Sequence, residues 1–302
     1  MEKFTKINSI SQYNNLRGID TLHPLITVVD VSKAKQLKPG NYQFNLYCLY
    51  LKELKCGALL YGRNHYDYEE GTVVAVGPGQ IIGIPEDAIV AEPKGWALLF
   101  HPKLLEGTIL ENLIQSYSFF SYEINEALHV SKKEGEIVVG CFHKIVHELN
   151  HSTDKHSKKL IAANIELLLS YCSRFYDRQF ITRDYLYSGV AERFEHLLNE
   201  YFNSEHPGNK GLPTVSYRAD ALRFSSNYFG DLIKKETGKS AQEMIHFKIV
   251  ELAKERLVDQ SKPVGEVAYA LGFKYPQHFT RLFKERMGMT PVEYRLFDIS
   301  KN

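Results

Sequence analysis

The chain has 302 residues, of which 44% are hydrophobic, and a formal net charge of +1 at pH 7. This length favours two domains, and near-neutrality excludes a uniformly basic nucleic-acid binder. The sequence has no apolar run of the roughly 20 residues needed to cross a bilayer, and the first 15 residues lack the apolar core of a signal peptide. We therefore expect a soluble, cytoplasmic protein with no membrane partner.

Charge is unevenly distributed along the chain. Residues 214–302 hold 15 Lys/Arg against 11 Asp/Glu, a balance of +4, whereas the preceding residues hold 22 against 25, a balance of −3. This asymmetry indicates different partners for the two parts. The four cysteines form no CxxC pair and stand among apolar residues, which is typical of reduced, buried thiols: Cys48, Cys56, Cys141 and Cys172.

Short apolar runs separated by Gly and Pro extend from Leu25 to about His101. The runs LITVVDV, YQFNLYCLYL, GALLYG, TVVAVGPGQIIGIP and GWALLFHP are rich in β-branched and aromatic residues, which predicts strands. Many short strands without intervening helices predict a sandwich or barrel. Aromatic walls with one cation would suit a small carboxylated or sugar-like effector, although core packing explains each candidate equally well: Tyr47, Tyr61, Arg63 and Trp96.

Two amphipathic helices follow the strands. In GEIVVGCFHKIVHEL and SKKLIAANIELLLSYCSRFY, apolar residues recur at three- and four-residue steps. Joined by a polar loop, they predict a helical hairpin over about 134–176, which either dimerises the protein or only covers its own barrel. A further helix, GVAERFEHLLNEYF, opens the next domain, so we place the domains at 1–182 and 183–302.

One segment of the second domain occurs twice. NYFGDLIKKETG begins at Asn227 and QHFTRLFKERMG at Gln277, and matching residues lie 49 positions apart before a turn and 50 after it. Each copy reads as a short helix, a tight turn and a second helix with one apolar face. This pattern is typical of a helix-turn-helix motif, whose second helix enters the major groove of DNA.

A long helix is predicted between the two copies, from about Ala241 to Val258. Eighteen residues at 1.5 Å each span roughly 27 Å, close to the ~34 Å between successive major grooves on one face of DNA. One chain could therefore place two helices in consecutive grooves.

EVAYALGFKYPQHFTRLFKERMGMTPVEYR resembles the signature of AraC/XylS-type transcription regulators. YFGDLIKKETGKS is similar to the family's first DNA-reading helix, and the likeness is dense over 214–295. The resemblance implies a cupin-like sensor barrel, a helical dimerisation hairpin and a double helix-turn-helix domain. It also implies a homodimer, double-stranded DNA as partner, a small-molecule effector as a candidate ligand, and a candidate RNA polymerase contact.

The resemblance also implies which residues meet DNA. The family's base-contacting columns that hold usable side chains fall on Asn227, Gln277, Thr280 and Arg281. Three further columns hold Pro276, Gly230, which has no side chain, and Asp231, a carboxylate that phosphates would repel. We therefore expect the second copy to dominate specificity. Basic residues expected to meet phosphates, which position a protein without reading sequence, are Lys234, Lys235, Lys284 and Arg295.

One set of residues partly matches the metal ligands of metal-binding cupins, which are a His-x-His pair, a Glu and a distant His. Here His65 pairs with Asp67 in place of the second His, and His101 would be the distant partner. A second group shares one helix face at the four-residue spacing that can bind zinc, but a solvated polar face explains it: His143, His147 and His151. We predict no metal, no cofactor and no catalytic residues.

These observations predict an α+β protein that regulates transcription. Its N-terminal part would be a cupin-like β-barrel with a helical hairpin, and its C-terminal part would be all-α. One rival is a cupin-type metalloenzyme carrying a DNA-binding module, which metal analysis would identify. The other is a protein-binding scaffold, which would lack the steep salt dependence of DNA affinity.

Overall fold

The computed structural model describes residues 4–52, 71–84, 94–123, 126–151, 154–182, 189–204, 206–222 and 224–299, without the side chains of 181, 182, 217, 218, 298 and 299. Contacts divide the chain into two compact units, Met1–Thr182 and Arg183–Asn302. The α+β class is confirmed, because the described strands lie in unit 1 and unit 2 is helical where it is described. None of the described helices is long and apolar enough to span a membrane.

Unit 1 contains two sheets. Its strands are β1 Phe4–Ile7, β2 Ile26–Asp30, β3 Gly40–Phe44, β4 Tyr47–Lys52, β5 Thr72–Val76, β6 Ile81–Ile84, β7 Gly95–Phe100 and β8 Leu128–His129. They form a three-stranded sheet in the order β1-β3-β6 and a five-stranded sheet in the order β2-β7-β4-β5-β8. Over the described residues these sheets do not close into a barrel. The predicted strand GALLYG lies outside the described residues.

The core of unit 1 lies between the two sheets. It combines side chains from both, including Phe44 of β3, Cys48 of β4, Val76 of β5 and Leu99 of β7. Because side chains alternate along a strand, the residues between these positions point to the other face of the five-stranded sheet. The first helix of the unit, α1 Ile10–Arg17, also packs into this core, although the sequence pattern predicted no helix there.

The predicted helical hairpin covers that other face. After the short helix α2 Leu110–Leu113, it comprises α3 Lys132–Leu149 and α4 Ser157–Thr182. Trp96 of β7 lies 6.5 Å from Phe142 of α3, ring centroid to centroid. At the end of the hairpin, the Arg178 guanidinium donates to both carboxylate oxygens of Glu134, at 3.1 and 2.8 Å. The hairpin therefore packs on its own sheet.

Unit 2 consists of helices in its described part. They are α5 Val190–Asn203, α6 His206–Lys210, α7 Val215–Ala221, α8 Ser226–Thr237, α9 Ala241–Leu257, α10 Val264–Ala270, α11 Pro276–Met287 and α12 Pro291–Ile299. Aromatic side chains fill the core; Phe194 of α5 and Phe229 of α8, for example, meet edge to face at 5.1 Å. Cys48, Cys141 and Cys172 are buried free thiols in unit 1, as predicted, and Cys56 lies outside the described residues.

Candidate DNA interface

The duplicated segment folds into two matching helix pairs. The α7–α8 pair and the α10–α11 pair each have a helix of seven residues followed by one of twelve. The turns match in detail: Leu222 and Phe224 donate their backbone N–H to Ala219 O at 3.0 Å, and Leu271 and Phe273 donate to Ala268 O at 3.2 and 3.0 Å. The second turn is one residue longer, as the change of offset from 49 to 50 predicts.

Each second helix, called here a reading helix (α8 and α11), ends in the same way. Gly238 and Gly288 adopt left-handed φ values of 72° and 75°, where glycine carries no steric penalty. The helix that follows then begins with reciprocal hydrogen bonds. Ser240 and Glu243 form a capping box at α9, and Thr290 and Glu293 make the same two bonds at α12. These hydrogen bonds lower the pKa of both carboxyls.

The two faces of each reading helix differ as the spacing predicts. Phe229, Leu232 and Ile233 of α8 are buried, as are Phe279 and Phe283 of α11. The opposite face of each helix carries exposed side chains, although Tyr228 in the first turn of α8 is buried. The pairs are therefore held by their apolar sides while their polar sides stay accessible.

Helix α9 joins the two pairs and forms the centre of unit 2. Its 17 residues span roughly 26 Å, one residue shorter than predicted. Ile245, Ile249, Val250, Ala253 and Leu257 are all buried, so apolar contacts surround the helix on more than one side. It packs against α5, α8, α10 and α11. The reading helices are consequently attached to a common rigid element.

A family model described as a helix-turn-helix domain matches residues 218–296. This range includes both reading helices and α9. The C-terminal unit therefore contains a helix-turn-helix domain.

Known proteins resemble the chain mainly over this domain. YtdP of Bacillus subtilis (strain 168), named an uncharacterized HTH-type transcriptional regulator, is 30% identical over 37% of the chain; YobQ of the same organism, similarly named, is 35% identical over 27%. The chain spans only 14% and 34% of the lengths of these relatives. The solved C-terminal domain of AraT, a response regulator from Geobacillus stearothermophilus, is 26% identical, covering 35% of this chain and 83% of that one, with a TM-score of 0.31.

The predicted base-contacting residues lie on the two reading helices of this domain. Asn227 is exposed in the first turn of α8, and Gln277 and Arg281 are exposed on α11. Within the described part of the chain, no hydrogen bond or ion pair engages the Arg281 guanidinium. Thr280 is half-buried, and its hydroxyl donates to Pro276 O at 3.2 Å, so it has less freedom to reach a base.

The predicted phosphate contacts fall into two groups. Lys234 and Lys235 in the last turn of α8, and Lys284 in the last turn of α11, are exposed. Cations at the C-terminal end of a helix interact favourably with the helix dipole. These lysines therefore stabilise their helices, whether or not they contact DNA. Arg295 differs, because its guanidinium is already engaged by the fold.

Arg295 joins α12 to the end of α9. Its Nε donates to Leu257 O at 2.9 Å, and its Nη2 donates to Lys262 O at 2.8 Å and Asp259 O at 3.3 Å. These carbonyls follow the end of a helix, where backbone acceptors lack intrahelical partners. This engagement gives Arg295 a structural role, and the phosphate contact predicted for it stays a prediction.

Arg256 has a similar task that sequence reasoning missed. Its Nη1 donates to Ala270 O at 2.9 Å, at the end of α10, and its Nη2 donates to Phe202 O at 3.3 Å, near the end of α5. The Arg256 side chain on α9 thus connects the end of α10, in the second helix pair, to α5, which packs on α8. The sequence offered one signal for this role: Arg256 stands in the last turn of a long predicted helix, close to backbone carbonyls that need donors.

The predicted effector residues do not converge where they are described. Tyr47 stacks on Phe100 at 5.2 Å, and Trp96 lies 4.8 Å from the His143 ring. Both point away from the core between the sheets, and in the sheet register they are four positions apart, about 13 Å. Tyr61 and Arg63 lie outside the described residues.

The candidate metal ligands also do not come together among the described residues. His65 and Asp67 lie outside the described residues. His147 lies on the solvated side of α3 and His151 follows the end of that helix, with their tilted rings 4.1 Å apart, centroid to centroid. Among the described residues, no three His, Cys, Asp or Glu side chains form a group that could hold a metal ion.

Proposed function

We propose that this protein is a sequence-specific, DNA-binding transcription regulator of the AraC/XylS type. The observation that supports this proposal most is the repeated helix pair around α9, because two reading helices on one chain can occupy consecutive major grooves. The names of the relatives, which are transcriptional regulators, agree with it. A protein that only needed a helical bundle would have no use for a second polar reading face.

The second reading helix is proposed to dominate specificity. Arg281 is exposed and presents a fork of donors that fits the O6 and N7 acceptors of guanine, a pairing worth ~1–3 kcal/mol of discrimination. Gln277 precedes it by one helical turn and can pair with adenine. In α8, Asn227 is the corresponding reader, with Gly230 contributing no side chain. Lys234, Lys235 and Lys284 are proposed to meet phosphates.

Unit 1 is proposed to be a cupin-like sensor with the hairpin as a dimer contact. Three apolar side chains on the hairpin remain 38–45% exposed: Ile137, Leu160 and Leu167. Leu160 and Leu167 are seven residues apart and thus share one side of α4. A second copy packed on them would join two double helix-turn-helix domains and tighten binding through effective concentration. The proposed roles are regulatory rather than catalytic, with RNA polymerase a further proposed contact.

Selection of binding sites from random duplex DNA, followed by sequencing, tests the DNA-binding proposal. We expect an enriched site with a strong box and a weaker box about one helical turn apart. Lack of enrichment, together with an affinity that does not fall with salt, would contradict DNA binding and favour the scaffold interpretation. Zinc or iron bound stoichiometrically after purification would instead favour the metalloenzyme.

A further inference from the structure

Several buried polar atoms of unit 1 that find no hydrogen-bond partner among the described residues lie on one helix. Helix α1 carries the Tyr13 hydroxyl, Oδ1 of Asn14, and Nε and Nη2 of Arg17, none of which makes a hydrogen bond of normal geometry within the described part of the chain. Tyr13 and Asn14 are fully buried and Arg17 is 7% exposed. Buried polar groups normally have partners, so their grouping on two turns of one helix needs an explanation.

The Arg17 guanidinium is the most unusual member of this group. None of the ion pairs formed by the described residues includes Arg17. Its closest described aromatic contact is the Tyr13 ring, 6.0 Å away. A charge removed from water without a partner is costly, and buried charges in proteins are paired or bound to a ligand. Nε and Nη2 form one edge of the guanidinium, the edge that can grip a carboxylate with two parallel hydrogen bonds.

The backbone of α1 holds Arg17 in a defined position. Ser9 caps the start of the helix by accepting from Gln12 N, and Ile10 is fully buried. Gly18 ends the helix at a φ of 66°, and Lys35 N donates to Arg17 O at 2.8 Å. The guanidinium is therefore presented by a capped and anchored helix rather than by a loose end.

The charge of Arg17 acts on two nearby phenols, those of Tyr13 and Tyr50. Tyr13 and Cys48 are buried, the partly buried Tyr50 packs against them, and the Tyr50 hydroxyl lies beside that of Tyr13. Burial raises the pKa of Tyr13 to about 12 and the pKa values of Tyr50 and Cys48 well above their ordinary values. These three groups are therefore neutral near pH 7 and cannot balance the charge of Arg17.

We propose that Arg17 binds the carboxylate of a small monocarboxylic acid whose apolar part packs in the core between the two sheets. The Tyr13 and Tyr50 hydroxyls can donate to the same carboxylate, and one negative charge matches the single guanidinium. This site lies on the face of the five-stranded sheet opposite Tyr47 and Trp96. The claim that this acid is the effector rests on the proposed regulatory function; the binding itself does not.

Thermal unfolding of the full-length protein tests the site with acetate, butyrate, octanoate and benzoate. Each is compared with its amide at matched ionic strength. A ligand that binds only the folded state raises Tm in proportion to the logarithm of its concentration. We expect octanoate or benzoate to raise Tm while the amides do not, and calorimetric titration to show at least a tenfold affinity loss in Arg17→Met.

Two further variants make the result specific. Arg17→Lys retains the charge but not the two-pronged edge, so we expect weaker carboxylate binding with normal folding. Arg174→Met makes the same replacement at an exposed arginine of unit 1 and should leave binding unchanged. The proposal would be overturned if none of the four acids raises Tm, if the amides act equally well, or if Arg17→Met and Arg17→Lys respond like the wild type. Because no DNA is present, these outcomes are independent of whether the protein selects a DNA site.

Discussion

The DNA contacts proposed for single side chains on α11 can be separated by experiment. Arg281→Ala should relax discrimination at one base pair by ~1–3 kcal/mol, whereas Lys284→Ala should weaken binding to all sequences about equally and reduce the salt slope by about one. Competition between the selected site and its single-base variants, at several salt concentrations, distinguishes these effects. Arg193→Ala, at an exposed arginine of α5, is the control. Unchanged discrimination in Arg281→Ala would refute the assignment of Arg281 as a base reader.

A glycine in the second turn offers a test of the fold. Gly272 has a φ of 93°, and a Cβ there would lie 2.7 Å from Gly211 O. Gly272→Ala should therefore destabilise the protein by about 1–3 kcal/mol. Gly230→Ala is the matched control, because Gly230 is helical and a Cβ there would enter open space among the described residues, and alanine favours helix by up to ~1 kcal/mol. Urea unfolding should shift the two variants in opposite directions.

A comparison of Arg281 and Gly272 with Arg17 shows which roles could be predicted from the sequence. Arg281 and Gly272 stand in the segment that resembles the AraC/XylS signature, and it was this resemblance that indicated Arg281 as a base reader. Arg17 stands once, in a segment without a strong apolar period, and its importance depends on which atoms fail to find partners after folding. No local pattern encodes that.

At the scale of elements, two roles for Arg295 can be distinguished by experiment: joining α12 to the end of α9, or contacting a DNA phosphate. If it joins α12 to the end of α9, Arg295→Met should lower the free energy of unfolding by about 1–3 kcal/mol, the value of hydrogen bonds from a charged donor. DNA affinity measured well below Tm should then keep its salt slope. If it contacts phosphate instead, stability should hold and the slope should fall by about one. Arg295→Lys should not restore stability, because lysine lacks the guanidinium fork.

The capping boxes make the helix starts sensitive to acid. The Glu243 and Glu293 pKa values are lower in the folded protein than their ordinary value of 4.5, so both carboxylates bind protons more readily when unfolded. Their stabilisation is fully present above the unfolded pKa and is lost as pH falls through the folded pKa. Unfolding of Glu243→Gln and wild type between pH 3 and 7 should differ most at neutral pH and converge under acid. Equal pH profiles would contradict this.

In unit 2, α5 and α9 were predictable to within about one residue at each end, since caps and periods are local, whereas the short helix α6 in a Pro/Gly-rich segment was not predicted. The tertiary use of Arg256 and Arg295 was not predictable, because both bonds join segments far apart in sequence. In unit 1, YQFNLYCLYL divides into β3 and β4, a break that its continuous apolar character concealed. The direction in which Tyr47 and Trp96 point follows from register, which the sequence alone did not determine.

At the scale of the whole molecule, the hairpin gives a test of assembly. Leu160→Glu combined with Leu167→Glu should convert a dimer to a monomer at micromolar concentration, because two charges would enter an apolar contact. Light scattering measures this, and Lys159→Glu, at an exposed hairpin position, controls for charge. A wild type that is monomeric with and without DNA would mean that the hairpin only covers its own sheet.

The attachment of both reading helices to α9 constrains the spacing between the two DNA boxes that the protein is proposed to bind. Since α9 packs against α5, α8, α10 and α11 and Arg256 joins its far end to α10 and α5, we expect the two reading helices to keep a fixed spacing and not to follow a displaced box. B-DNA turns by roughly 34–36° for each base pair, given 10–10.5 base pairs per turn. Inserting or deleting one base pair between the boxes would carry the weaker one out of phase, as harmful as mutating its bases. Spacer length should therefore be inherited as strictly as the boxes themselves.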